Sequence, residues 1–580
     1  MSNMLERNPY LVNKAFRTYL VATVLASMAL SLGVVIDGVI VGNFLGPDAL
    51  SAINLTSPII QLLSAVTTLI NVGGATLAAI YIGRRKTEEA SKIFTVSLTV
   101  SFIAGIIFSV VGAVFVDDIV AVLCTDASLA PLVKDYVFVV LMSSLLYVLL
   151  PGICVFVRTD SNPKLATLAL VSANIVNLSL DVVFIKFMGL GVGSSALATA
   201  LGYVVGICIL ALHLRKKERI FRFKFSGFNH LGSILLMGAP VALASALMTV
   251  RLFGMNSIVL HYLGANGVSV MAVCLNLMMI ASMFIGGTAQ TMQPVGGVLQ
   301  GAEDFKGVKM VIKAATKVLI TCLAVLVALI IFFPELFASF FGLSDPALLS
   351  FADPALRIFA LSLPVYGINY MLMIIYQIGG HKKLASAVSS AQALMVVIVA
   401  LLLVPLDNDL VWASFVIGEL IVLSGTLIAA FIIHKRQNLT PITLQKTVTD
   451  NAAVLDVSMN GSGNEMGTMM AELHAFLAAN KLAPRTISRI ELCSEELILN
   501  VLEHGLQSSA DHYLDVNVKL SPEEVILTIK DDGPIFDPLE YDGEGKGLLL
   551  VKGLCSSVSY SRTMNQNVVT IKIIPDAPDA

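Results

Sequence analysis

The sequence predicts an all-α polytopic membrane protein of about twelve spans in two six-helix lobes, followed by a C-terminal α/β sandwich. Three observations carry that prediction. The chain is 56% hydrophobic and 13% charged over 580 residues, with a mean hydropathy of +0.85, far too apolar for a soluble globular protein, whose charged share is roughly a quarter. Apolar segments of spanning length recur until about residue 435 and then stop. Short motifs in the first half return in the second half at one offset of 218 residues. A net charge of −3 argues against nucleic-acid binding. The seven cysteines are scattered singly, without the clustered spacing of a zinc site or a disulfide framework.

The opening residues, MSNMLERNPYLV, are mostly polar and carry no cleavable signal pattern, so the first span is expected to be retained as a membrane helix. Spans are expected near Phe16–Leu45, Leu50–Ile82, Ile93–Val116, Tyr136–Phe156, Leu165–Phe187 and Val192–Leu214. The second six are expected near Leu231–Leu263, Val268–Leu299, Val311–Phe333, Ile358–Ile378, Leu384–Val404 and Val411–Ile433. Alternate loops collect Lys and Arg: Arg84 to Lys86, Arg158 with Lys164, the run from Arg215 to Lys224, Lys306 with Lys309, and Lys382 with Lys383. The intervening loops are rich in Asp. The positive-inside rule then puts the basic loops and both termini in the cytoplasm, across the cell membrane.

The repeat matches Gly46, Ser51 and Gly83 with Gly264, Ser269 and Gly301. Six spans per copy give both copies the same orientation, so an axis along the membrane normal should relate them. The expected division is an N-terminus over 1–14, lobes over 15–225 and 226–436, a linker over 437–451, and the sandwich over 452–580.

The copies differ in their carboxylates. Asp37 lies inside the first span and Asp181 in the fifth, with Asn177 one turn earlier on the same face. Their counterparts are Met255 and Val399. An ionised Asp at mid-membrane costs about 2.5–3.5 kcal/mol on insertion scales, so such acids usually mark function. Asp37, Asn177 and Asp181 form the candidate ion site; for Asp181, pairing with the nearby Lys186 is the competing structural role. Arg251 and Glu419 stand within apolar spans of the second half, suited either to an ion pair or, for Arg251, to an anionic substrate.

After these motifs (VVIDGVIVGNFLGPDALSAINL, NIVNLSLDVVFI and MGLGVGSSALATA), residues 10–435 resemble a multidrug and toxic compound extrusion transporter. The resemblance implies two six-helix lobes around a cleft, and export of drugs or metabolites against protons or sodium. It assigns ion coupling to Asp37, Asn177 and Asp181, and suggests a small-molecule substrate, organic cations included. Some members carry a proline midway along the first helix. Val21–Gly46 has none, so bending there would rely on Gly33, Gly38 and Gly42. With no carboxylate in the seventh span, protons are favoured over sodium.

Beyond Arg436 the pattern changes to strands of period two alternating with amphipathic helices. Three segments there resemble the ATP-binding domain of gyrase-type and histidine-kinase-type ATPases, most of all its anti-sigma-factor serine kinase branch. In EELILNVLEHG the resemblance makes Glu496 the catalytic base and gives Asn500 the Mg²⁺ that bridges the phosphates. In IKDDGPIFDP it gives Asp531 the adenine amino group, with Gly533 allowing close backbone approach. In DGEGKGLLLVKGL, Gly543, Gly545 and Gly547 open a helix whose amides can cradle phosphate. No GxxxxGK[ST] loop occurs in the chain, so the tail is not read as a transport motor. The expectation is an ion-driven exporter with a regulatory, ATP-and-Mg²⁺-binding cytoplasmic tail that acts on the transporter or on a cytoplasmic partner protein. The alternative is a membrane-anchored anti-sigma-type serine/threonine kinase that uses the transporter half as a sensor.

Overall fold

The computed structural model describes residues 5–124, 126–446, 452–507, 509–539 and 547–576. Long apolar runs form helices because a bilayer offers backbone amides no partner outside the segment. The first lobe holds α1 (Tyr10–Leu45), α2 (Pro47–Gly83), α3 (Thr87–Leu123), α4 (Ala130–Met142 and Ser144–Thr159, bent by 50°), α5 (Pro163–Phe187) and α6 (Gly193–Arg215). The second holds α7 and α8, α9 (Phe305–Phe332), α10 (Pro346–Ile378), α11 (Lys382–Leu403) and α12 (Leu410–Gln437). Helices α7 and α8 run together as Leu231–Gly301, 71 residues, which at 1.5 Å per residue is about three and a half times a bilayer core. The run breaks at Gly264, where φ is 63° and ψ −158°, leaving two spans, 231–263 and 265–301. The twelve expected spans are therefore all present among the described residues.

Gly264 is the repeat partner of Gly46, which sits between α1 and α2 with φ 86° and ψ 179°. A side chain would strain both, so the matched glycines mark the same sharp turn in each copy. Gly83 and Gly301, a second matched pair, meet each other: a Cβ on Gly83 would lie 2.9 Å from the Gly301 Cα. Equivalent residues of two copies can touch at the axis that relates them, so these helix ends lie beside it.

Helix α1 runs unbroken. Its Gly33 is pressed against Asn174 of α5, whose side-chain oxygen would be 2.4 Å from an added Cβ. Around the lower half of α1, Val41, Leu63, Tyr136, Val148, Ile185 and Ala196 form a buried cluster that joins α2, α4, α5 and α6. Outward-facing apolar residues such as Val114, Val122 and Phe187 remain exposed, as lipid-facing positions require.

By contact density the chain divides into two units, one of residues 18–304 and 311–445, the other of 1–17, 305–310 and 446–580. The second unit carries a five-stranded antiparallel sheet in the order β1 (Ala453–Asn460), β2 (Tyr513–Leu520), β3 (Val525–Asp531), β5 (Gln566–Ile573), β4 (Ser557–Thr563). Alternation decides its faces. Val457, Met459, Val516, Leu527 and Ile571 pack against Leu473 and Leu477 of α13 (Met466–Ala479), Ile490 and Leu497 of α14 (Pro484–Asn500), and Val551 of α15 (Gly547–Leu554). The intervening residues are polar, and the N-terminal segment binds to them. Arg7 Nη1 lies 3.0 Å from Asp456 and its Nε 3.5 Å from Asp515. The Asn8 amide donates to Ser458 Oγ, and Gln566 Nε2 donates to the Leu11 carbonyl. The Tyr10 and Tyr513 rings stand 4.4 Å apart, and Lys14 pairs with Asp532. Residues read from the sequence as a simple terminal segment thus form part of the sandwich.

Candidate functional site

The first lobe assembles the polar cluster. One turn of α5 sets Asn177 above Asp181, and the Asn177 Nδ2 donates to Asp181 Oδ2 at 3.2 Å and to Thr199 Oγ1 at 3.0 Å. From α6, Ser195 Oγ donates to Asp37 Oδ1 at 3.0 Å. Asp181 is fully buried and Asn177 nearly so, while Asp37 is half-buried. The Asp37 carboxyl neighbours that of Asp181, whose buried Oδ1 has no hydrogen-bond partner. Two neighbouring carboxyls in so apolar a setting repel each other when both are ionised.

The structure therefore brings Asp37, Asn177 and Asp181 together. It does not pair Asp181 with Lys186, whose Nζ stands over the Phe44 and Phe187 rings. Directly after Asp181, α5 widens into a π-helical turn, Val182–Phe187, a feature frequent at functional sites. Ser195 and Thr199 complete the cluster. Both lie in the quoted MGLGVGSSALATA stretch, where their i,i+4 spacing was the available signal.

The second lobe has no counterpart. Arg251 Nη1 meets Glu419 Oε1 at 2.8 Å, and Asn369 and Gln392 donate to Glu419 Oε2. Tyr366 and Phe415 flank the guanidinium at 5.6 and 5.5 Å. This buried pair is satisfied on both sides, so of the two roles open to Arg251 the structural one is observed.

Between the lobes lies a cavity of about 440 Å³, lined by side chains of α1, α2 and α4–α6 from the first lobe and α7, α8 and α10 from the second. One lining residue corrects the sequence reading. Arg158, counted among the loop charges, lies inside α4, is 3% exposed and opens onto this cavity.

In the other unit, Glu496 and Asn500 share a face of α14, and Asn500 Nδ2 donates to Glu496 Oε1 at 3.2 Å. Asp531 is buried, its Oδ1 accepting from the Gly533 amide and from Asn567 Nδ2 at 2.9 and 2.8 Å. Burial pushes its carboxyl up to about 6, with the Asn567 and Gly533 hydrogen bonds opposing. Gly533 has no room for a side chain, because Leu506 and the Gly505 carbonyl crowd its Cβ position. Gly547 abuts Glu496 in the same way. Gly543 and Gly545 lie outside the described residues.

Fold and site together define a two-lobed polytopic membrane protein, with one lobe carrying buried carboxyls and a small α/β sandwich attached. The chain belongs to the MatE family, whose model matches residues 22–183 and 240–402, two copies that begin 218 residues apart. Residues 462–573 match the histidine kinase-like ATPase domain, so the tail is a fused domain of that type. Among curated relatives is a protein named multidrug export protein MepA, from Staphylococcus haemolyticus. It is 24% identical over 441 residues, covering 74% of this chain and 94% of the relative. Another, named probable multidrug resistance protein YoeA, from Bacillus subtilis, is 24% identical over 264 residues, covering 44% and 57%. A solved MOP-superfamily transporter from Pyrococcus furiosus aligns with a TM-score of 0.69 at 23% identity, over 76% of this chain and 100% of its own. A solved MATE structure in complex with MaL6 aligns with the same TM-score at 24% identity, over 74% and 97%.

Proposed function

We propose that this protein is a proton-coupled antiporter that exports drugs or metabolites across the cytoplasmic membrane, with its ATPase-like tail as a cytoplasmic regulatory domain. The observation that carries the reading is the Asp37–Asp181 carboxyl pair, held by Ser195 and Asn177 on three different helices. A proton between the two carboxyls turns a repulsive contact into a hydrogen bond; its release separates them. That change pulls on α1 and α5 together, which is how proton uptake becomes helix movement. The relatives named for multidrug export are in keeping with this role.

The tail residues fit ATP and Mg²⁺. The Asn500 amide nitrogen is engaged by Glu496, which leaves the side-chain oxygen for a hard cation. Asp531 is a buried acceptor suited to an exocyclic amine. Bound ATP would supply a transferable phosphoryl group. Glu496 is placed to polarise a hydroxyl or a water, and α15 presents its N-terminal amides from Gly547 onward. Regulation rather than drive is favoured by the N-terminal segment. Lys14 is paired to Asp532, the residue after Asp531, and helix α1, which begins at Tyr10, is the helix that carries Asp37.

A second reading, a membrane-anchored serine/threonine kinase acting on a partner protein, draws on the intact Glu496–Asn500 pair. Proteoliposomes under an imposed pH gradient separate the two. A panel of cationic, anionic and zwitterionic dyes is offered, with and without Mg-ATP on the tail side. Gradient-driven export that ATP alters, with the ATP effect lost in Glu496→Ala and Asn500→Ala, supports the antiporter. No gradient-driven movement of any dye by folded protein sinks it and favours the sensor kinase.

A further inference from the structure

We infer that the cavity between the lobes is an anion site: it takes an organic monoanion, an apolar or aromatic body bearing one carboxylate or sulfonate, with Arg158 as the charge that receives it. The inference deepens the transport reading and rests on it for the cavity's purpose, though not for its charge.

Arg158 is the one charged side chain that lines the cavity; among the described residues no Asp, Glu, Lys or His joins it. It is 3% exposed, and no described carboxylate lies within ion-pair distance. Its Nη1 donates to Gln290 Oε1 at 2.7 Å, a neutral partner, and its Nε has no acceptor. The carboxylate nearest in sequence, Asp160, is committed elsewhere: to His213 at 2.8 Å and to the Ile220 and Phe221 amides. A buried guanidinium is costly unless a charge answers it. The contrast within this protein is direct, because Arg251 has its Glu419 and Arg158 has none.

The rest of the lining suits the same ligand. Thr76, also a buried lining residue, has a hydroxyl with no partner, so two residues of the lining each hold an unpartnered polar atom. Tyr147, Tyr203 and Tyr370 supply aromatic walls. The volume falls in the range of drug-sized ligand pockets. One cation and largely apolar walls call for one negative charge rather than several. A cationic substrate would meet Arg158 with no acid to offset it, which counts against the organic cations considered from the sequence.

The test uses two probes that share a fluorophore and differ in charge: dansylglycine, a carboxylate, and dansylcadaverine, an ammonium. Binding to the full chain in nanodiscs is read by fluorescence anisotropy. The expected result is saturable dansylglycine binding at least tenfold tighter than dansylcadaverine. Arg158→Gln should weaken dansylglycine at least tenfold, and Arg158→Lys should keep part of the preference. Ser64→Asp, which adds a carboxylate to the cavity wall without touching Arg158, should reverse the preference and guards against misfolding of the Arg158 variants. Equal or tighter dansylcadaverine binding, saturable binding of neither probe, or dansylglycine binding unmoved in well-folded Arg158→Gln, would overturn the inference. The antiporter reading fails separately: anion binding without gradient-driven transport removes that reading and leaves the site. Cation binding with transport lost in Asp37→Asn does the opposite.

Discussion

Gly83 and Gly301, matched positions of the two repeats, pack backbone against backbone, with the Gly83 Cβ position 2.0 Å from the Val298 carbonyl and 2.9 Å from the Gly301 Cα. The lobes therefore meet here where neither copy has a side chain. Gly83→Val must push the helix ends apart, and overpacking of this kind costs about 1–3 kcal/mol. Its melting temperature should fall clearly in detergent. Gly42→Ala, whose new methyl would find its nearest neighbour at 3.6 Å, should melt like the parent.

The proposed coupling requires Asp37 and Asp181 to act as a unit. Asp37→Asn and Asp181→Asn should each reduce gradient-driven export at least tenfold, and the double variant should be no worse than either, because residues of one device are not additive. Initial rates in proteoliposomes at fixed internal pH measure this. Additive losses would show that the two carboxyls work independently.

The Arg251–Glu419 pair is structural, so breaking it should cost stability. Glu419→Gln or Arg251→Gln leaves a buried charge unanswered, worth about 3–5 kcal/mol. Replacing both with Met and Leu should recover most of the loss in a thermal melt. Transport by the double variant should persist; its disappearance would give the pair a functional role.

Asp531 links the tail to pH. In the proposed nucleotide site the ionised carboxylate is the stronger acceptor for an adenine amino group, and burial pushes this carboxyl up to about 6. Affinity for a fluorescent ATP analogue should hold from pH 8 to 7 and weaken as pH falls through 6, about tenfold per unit below it. Asp531→Asn should bind weakly at every pH. Stability runs the other way: with the folded value above the ordinary carboxylate range, the Asp531 contribution is greatest at low pH and is lost as pH rises through about 6.

Much of this was legible in the sequence because two periodicities do most of the specifying. Spanning length gave the twelve helices, and alternation marked the tail as strands and helices. The repeat paired Gly46 with Gly264, and both adopt the positive φ that explains the glycine. Asp37, Asn177 and Asp181 stood out because acids inside apolar spans are rare. Arg158 did not, since a basic residue near the end of a span reads as a loop charge by pattern alone. Arg7 and Lys14 were equally silent. Their partners, Asp456, Asp515 and Asp532, lie more than 440 residues away, and no local pattern encodes so distant a contact.

In the proposed proton exchange, taken at one proton per substrate, the lone guanidinium in the cavity would also set the electrical character of the cycle. A monocation leaving as one proton enters moves no net charge, so such a cycle ignores the membrane potential. A monoanion leaving as one proton enters moves two charges in the same sense. At an inside-negative potential that is worth about 4.6 kcal/mol for every 100 mV. In that proposed cycle, with Arg158 receiving the substrate, the cell's voltage would be a driving force alongside its pH gradient, and dissipating that voltage alone should slow export.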